Sequence, residues 1–403
     1  MSAVHDVVSS DASPTEELLE RARALKPLLI QNAARAEAER RIPEENIAAL
    51  DEAGLFKITK PKRFGGYEVP FATKLEVSAI LAEACPSTAW VVTLTNVCAW
   101  FTGLYSGQAQ QDVWGEDRDA RICGVLAPSA TARREDGGLR VSGSWGYASG
   151  CLHSEWALLG HPIVNEAGEQ IDQGLALVPM SDLRIEDTWF VAGMKGTGSN
   201  TLVAEDVFIP DHRIMSVVGA LANEYPTEFK DEALYRSSFI PVAALVLAGP
   251  QVGMARAAVD FVIEKAPKRR IAYTIFERQT DSTTFQNLVS EAAMLADTAA
   301  LHVARAAADI DRAAALGEKM DYLPRTRVRA DTGWAIRHAR EAIETAISAN
   351  GAGSFAEVSP LQRLWRDAGT AGRHAVVMPP INQEVYGKAL LGIPYEDNIT
   401  PLI

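Results

Sequence analysis

The segment "GLRVSGSWGYASGC", Gly138–Cys151, places Leu139, Val141, Trp145 and Tyr147 at every second position, with Gly143 in the same row. That is the period of a strand and not of a helix. A strand gains from bulk on its buried face and loses from glycine, so Gly143, Gly146 and the terminal Ser149 and Gly150 ask for a reason beyond packing. On an uninterrupted two-residue period, Ser149 ends the apolar row and its hydroxyl must find a partner.

The same period extends outward from this segment. "EWALLGHP" (155–162), "GLALVP" (174–179) and "TLVAEDVFIP" (201–210) read as further short strands, and Asp136-Gly137-Gly138 marks a turn before the first. On both sides the period becomes helical. "EELLERARALKPLLIQNAARAEAERR" (16–41) repeats apolar residues at three and four, and "PEENIAALDEAGL" (43–55) opens with proline and two glutamates, as helix starts do. Toward the C-terminus, "SEAAMLADTAALHVARAAADIDRAAAL" (290–316) and "TGWAIRHAREAIETAISAN" (332–350) are long, alanine-rich helices. The expected class is α+β, mainly α: a helical domain over 1–120, a β-domain over 121–215 and a helical bundle over 216–403. No short internal repeat interrupts this order.

Composition narrows the function. The 403 residues are 47% hydrophobic and 23% charged, with a net charge of -13, which disfavours a nucleic-acid surface. Cys85, Cys98, Cys123 and Cys151 are widely spaced, so neither a zinc site nor a disulfide framework is expected. The histidines are equally scattered and suggest no metal centre. "MSAVHDVVSSDASPTEE" lacks a basic start followed by an apolar core, so it is not read as a secretory signal. "FIPVAALVLAGPQVGMA" (239–255) carries Pro241, Pro250 and Gln251 and reads as a buried helix rather than a membrane span. A soluble, cytoplasmic protein is the expectation.

Three stretches carry a family likeness in the order helices, strands, helices. "RIPEENIAALDEAGLFKITKPKRFGGY" (41–67), "SGSWGYASG" (142–150) and "GAGSFAEVSPLQRLWRDA" (351–368) together resemble the acyl-CoA dehydrogenase superfamily. That resemblance implies a flavin held between the β-domain and a C-terminal four-helix bundle. A dehydrogenase needs a carboxylate base to remove a proton alpha to a thioester. "RDAGTAGRHAVVMPPINQEVYG" (366–387) instead brings His374 and no glutamate in a "YEGT"-type stretch. "PSTAW" (86–90) and "GMKGTGSNTLVAEDVFIPDHR" (193–213) are more similar to the oxygenase components of two-component flavin monooxygenases. This branch includes phenol hydroxylases, indole hydroxylases and amino-sugar N-oxygenases.

The branch implies reduced flavin, FADH2 with FMN also open, and O2 as co-substrate. It further implies a separate NAD(P)H-dependent flavin reductase, a small aromatic substrate and a homotetramer. Oxygen transfer would run through a flavin C4a-hydroperoxide, with the protein binding the ring, excluding water and orienting the acceptor. By resemblance Ser149 meets flavin N5, Tyr147 lies beside the ring and Gly150 joins them in binding the cofactor; a serine capping a turn with Gly150, and a tyrosine that is plain core, are the alternatives. His374 would donate to oxygen or shuttle a proton, unless it only caps a helix end. Arg270, with Phe285 after it, resembles the segment that reaches the flavin pyrophosphate of a neighbouring subunit, and a solvated basic turn is the alternative. Thr197 and Ser199 offer hydroxyls to flavin, though a tight turn explains "KGTGSNT" as well.

For the substrate pocket the candidates are Trp90, Asn96, Cys98 and Trp100, which equally fit an apolar helix core. Cys98 stands where the phenol hydroxylases of the branch carry a histidine. A phenol benefits from a base, whereas indole carbon 3 is already nucleophilic, so an indole ring leads. Phenol hydroxylation, amino-sugar N-oxygenation, acyl-CoA dehydrogenation and non-catalytic flavin binding are the alternatives.

Overall fold

A computed structural model describes residues 13–403; the N-terminal stretch on which the secretory-signal reading rests lies largely outside the described residues. Helices α1 (Pro14–Glu39), α2 (Glu44–Glu52), α3 (Phe71–Ala84), α4 (Pro86–Gly103) and α5 (Gly107–Trp114) come first. Ser13 caps α1 through a reciprocal box with Glu16, the arrangement that satisfies two otherwise orphaned donors. Helices α3 and α4 are buried around almost their whole circumference, which is why their sequences show little amphipathic pattern.

Strands β1 (Ile122–Val125), β2 (Ala130–Glu135), β3 (Gly138–Trp145), β4 (Trp156–Val164), β5 (Gln170–Pro179), β6 (Arg184–Glu186), β7 (Thr201–Pro210) and β8 (Ile214–Ser216) follow. They form two four-stranded sheets, ordered β1-β4-β5-β8 and β2-β3-β7-β6. All pairings are antiparallel except β1 with β4. The sheets bury Leu139, Val141, Trp145, Leu159, Ala176, Val178, Ala204 and Ile209 between them as a core of their own.

The C-terminal part comprises α6 (Val217–Leu221), α7 (Phe239–Leu245), α8 (Ala248–Lys265), α9 (Thr283–Leu316), α10 (Tyr322–Asn350), α11 (Pro360–Ala371) and α12 (Pro379–Leu390). The segment Phe239–Lys268 has the length and hydropathy of a membrane span, but 83% of its most apolar window is buried inside the protein. It is the core of the bundle, and α3 packs against it: a side chain at Gly253 would strike the Ala79 carbonyl. Two long cores thus meet at α4, which touches β1 on one side and α8 and α11 on the other.

Two sequence expectations change here. The apolar row does not continue to Ser149, because β3 ends at Trp145. The reason for Gly143 is packing after all: a Cβ there would lie 2.7 Å from the Ser129 carbonyl and 2.8 Å from the Trp145 ring. Its lack of a side chain lets the hairpin close over Trp145.

Candidate active site

After Trp145 the chain leaves the sheet in a turn. Tyr147 and Gly150 both adopt left-handed backbone, with φ of 65° and 79°. Glycine takes that conformation freely, while tyrosine does so only where its surroundings compensate. The compensation is visible: Ala148 N donates to Asn200 O at 3.1 Å and Gly150 N to Thr197 O at 3.2 Å. Tyr147 is 75% exposed, and its ring meets Trp189 edge-on at 5.5 Å between centroids. Ser149, two residues on, is buried.

A chain of hydrogen bonds starts at that buried hydroxyl. Trp90 on α4 donates its indole N–H to Ser149 Oγ at 3.3 Å. Ser149 Oγ lies 2.7 Å from Ser199 Oγ, and Ser199 Oγ lies 2.6 Å from Thr197 Oγ1. Thr197 Oγ1 donates to the Met194 carbonyl at 2.8 Å, which also accepts the Trp189 indole N–H at 3.0 Å. Met194 itself is left-handed, with φ of 57°.

The bundle holds this loop from the other side. Asp367 on α11 is 3% exposed and accepts the Met194 backbone N–H. Burial raises its pKa to about 7, against the opposing pull of that hydrogen bond and of Arg366 and Arg363. Beyond α11, His374 Nδ1 accepts the Val376 N–H at 3.4 Å, which leaves the proton on Nε2. The His374 ring sits 6.3 Å from Trp90. The residue is exposed as a whole, and the protein packed against its imidazole lowers its pKa by partial desolvation, an effect that the solvent on its open side keeps small.

Beside Tyr147 opens a cleft of about 1010 Å³ between the β-domain and the bundle, walled by Tyr147, Trp189, Trp365, Arg340, Arg373 and Pro379 among others. Its carboxylates are engaged: Glu341 by Arg337 and Glu344 by the Trp365 indole N–H. Arg340 and Arg373 have no carboxylate partner among the described residues, and burial first, then like-charge repulsion from Arg373, lowers the pKa of Arg340. The cleft therefore combines an aromatic wall with spare positive charge.

The acyl-CoA dehydrogenase N-terminal domain matches residues 15–116, and the acyl-CoA dehydrogenase C-terminal domain matches residues 245–379. The flavin-dependent monooxygenase oxygenase subunit HsaA of Rhodococcus jostii is 35% identical over 94% of this chain and 100% of its own. The chain belongs to this family of flavin-dependent oxygenase components. The FADH(2)-dependent resorcinol hydroxylase oxygenase component of a Rhizobium species is 32% identical over 96% of this chain and 97% of its own. Among solved structures, XiaF from a Streptomyces species, in complex with FADH2 and glycerol, superposes with a TM-score of 0.90 at 37% identity, covering 96% of this chain and 97% of that one.

For an oxygenase component of this family, the sequence candidates divide into two groups. Ser149, Gly150, Thr197, Ser199, Trp90 and His374 come together, with Tyr147 at the cleft beside them. The others do not join them. Trp100 is fully buried and donates to Leu234 O at 2.9 Å. Asn96 spends its amide on Leu55 O and Val92 O and accepts from Ile58 N, so it braces α4 against the chain after α2. Cys98 is buried beside Gly124 and its thiol is pushed up to about 12, so it is a small packed side chain. Arg270 is exposed and pairs loosely with Glu277 at 3.9 Å, while Phe285 is buried at the start of α9; neither borders the cleft of its own chain. No cluster of three or more metal-ligating side chains occurs among the described residues.

Sequence reasoning missed Asp367, Trp189, Arg340 and Arg373 as site residues. Only Asp367 left a trace: it shares the buried face of α11 with Leu361, Leu364 and Ala368. A carboxylate on an apolar helix face requires a partner.

Proposed function

We propose that this chain is the reduced-flavin-dependent oxygenase that hydroxylates an electron-rich aromatic ring. The observation that carries the proposal is the assembly of Trp90, Ser149, Ser199, Thr197 and His374 beside an aromatic, cationic cleft, from four separate parts of the sequence. A flavin fits the residues present. Tyr147 offers an uncovered ring, Ser149 keeps one lone pair unused, and Arg340 and Arg373 supply unpaired charge for a phosphate. FAD is the first choice, on the relatives named for FADH2. The bound reduced flavin supplies the activation of O2, and the chain's residues do the rest. Ser149 and Trp90 orient the ring edge, His374 Nε2–H offers a donor to oxygen, and the apolar helices exclude water. A separate flavin reductase fits the relatives' naming as oxygenase components. Arg270, turned away from its own cleft, fits service to a neighbouring subunit of a homotetramer.

An indole-type ring is the leading substrate. Cys98 supplies no base, and His374, with its proton on Nε2, presents a donor, so a ring that needs no deprotonation suits the site best. Phenol is the second reading, supported by the resorcinol hydroxylase relative. The test supplies chemically reduced FAD and 18O2 with indole or resorcinol and follows label in the product. Label in either product supports the oxygenase, and the faster substrate ranks the two. Full conversion of O2 to hydrogen peroxide with both, or reduction of the oxidised flavin by an acyl-CoA, overturns it.

A further inference from the structure

The hydroxyl chain at the site has a direction, and proton counting reveals it. Two oxygens 2.6–2.8 Å apart need a proton between them. The chain contains three such contacts, Ser149 to Ser199, Ser199 to Thr197 and Thr197 to the Met194 carbonyl. Three hydroxyls supply three protons, and the carbonyl end supplies none. Thr197 must therefore donate to Met194, Ser199 to Thr197, and Ser149 to Ser199. The carbonyl end is fixed in turn, because Asp367 holds the Met194 N–H and Trp189 holds the same carbonyl.

At its other end the chain leaves Ser149 with its proton committed. One of its lone pairs takes the Trp90 N–H, and the second is free. Ser149 can thus accept a further hydrogen bond but cannot donate one. Reduced flavin carries a proton on N5, and oxidised flavin presents a bare N5 that only accepts.

We propose that Thr197 and Ser199 make this a site selective for reduced flavin, by committing the Ser149 proton away from the ring. This rests on the functional reading above, in which the ring edge meets Ser149. Asp367 is a positioning residue in the same device, acting through the Met194 peptide. An oxygenase fed by a separate reductase gains from such a bias, since spent, oxidised flavin leaves more readily than its replacement.

The experiment measures dissociation constants of oxidised and dithionite-reduced FAD under anaerobic conditions, for the full chain and for Ser199→Ala, Thr197→Val, Thr197→Ser and Ser149→Ala. Ser199→Ala or Thr197→Val frees the Ser149 proton, so the preference for reduced FAD shrinks by about tenfold, the worth of one hydrogen bond. Thr197→Ser keeps the hydroxyl and keeps the preference. Circular dichroism and melting temperature verify that each variant folds, and either of the first two suffices. If Ser149→Ala leaves affinity for reduced FAD unchanged, the ring does not meet Ser149, and the placement of the ring edge there falls with the proposal while the oxygenase activity is tested separately by the label experiment. If Ser149→Ala weakens reduced FAD while Ser199→Ala and Thr197→Val keep the full preference, the directed chain alone is overturned.

Discussion

Trp90 and Ser149 stand 59 positions apart, on a helix of the N-terminal domain and on a turn of the β-domain, and are joined by one hydrogen bond of 3.3 Å. This bond anchors the turn at the junction of α4 and the β-domain. Replacing Ser149 with alanine strands the buried Trp90 N–H, at a stability cost of about 1–2 kcal/mol. The same variant releases several-fold more hydrogen peroxide per reduced flavin consumed, read by peroxide assay against product. Unchanged coupling would remove Ser149 from the oxygenation chemistry.

His374 sets an acid limit. Its pKa lies below the ordinary 6.5, so the folded protein holds it neutral while the unfolded chain takes up a proton near that value. Stability from this group is complete above 6.5 and declines as pH falls below it, because the unfolded state then binds more protons. Protonation of Nδ1 also breaks its acceptor contact with Val376. His374→Gln removes the titration, so its ratio of product to peroxide should vary less with pH between 5 and 7 than that of the parent, roughly the range set by a histidine.

Asp367 should behave in the opposite sense. Its folded pKa, about 7 against an ordinary 3.8, means that the native state binds the proton more tightly than the unfolded chain. Stability therefore declines as pH rises from about 4 to 7 and levels off above. Asp367→Asn retains an acceptor for Met194 N–H and loses the ionisation, so at pH 8 it should be more stable than the parent by on the order of 2 kcal/mol. Asp367→Ala leaves Met194 N–H unpaired and should be less stable than the asparagine variant. Thermal melts at pH 5 and pH 8 separate the three.

Arg340→Gln tests the cationic wall. Removing one of two unpaired guanidiniums should weaken FAD or FMN by roughly tenfold and riboflavin, which lacks phosphate, hardly at all. Added salt should weaken FMN binding to the parent more than to the variant. Equal losses for FMN and riboflavin would place the phosphate elsewhere.

Much of this was legible in the sequence, for reasons specific to each part. The long bundle helices announced themselves by period 3.6 and β3 by period two, because each has one wet and one dry face, whereas β4 and β5, buried on both faces over five residues, showed as short apolar runs between turns. Ser149, Thr197, Ser199 and His374 were singled out by the family resemblance, with residue type alone fitting turn caps equally well. The strand end was misjudged because alternation continues through "WGYAS" while the left-handed backbone at Tyr147 does not show in residue type. Asn96, Cys98 and Trp100 looked like pocket residues because α4 is apolar all round, so its sequence cannot say which side faces a ligand.

By itself the sequence determined the order of helical, β and helical segments, the family, and which turns carry hydroxyls, since these depend on local periodicity and residue chemistry. Only the tertiary structure decided that Asp367 grips Met194, that Trp90 reaches Ser149, and that the hydroxyl chain runs one way. These depend on contacts between residues 50 to 173 positions apart, which give the short local links from Ser199 to Met194 their direction and whose partners no local pattern encodes.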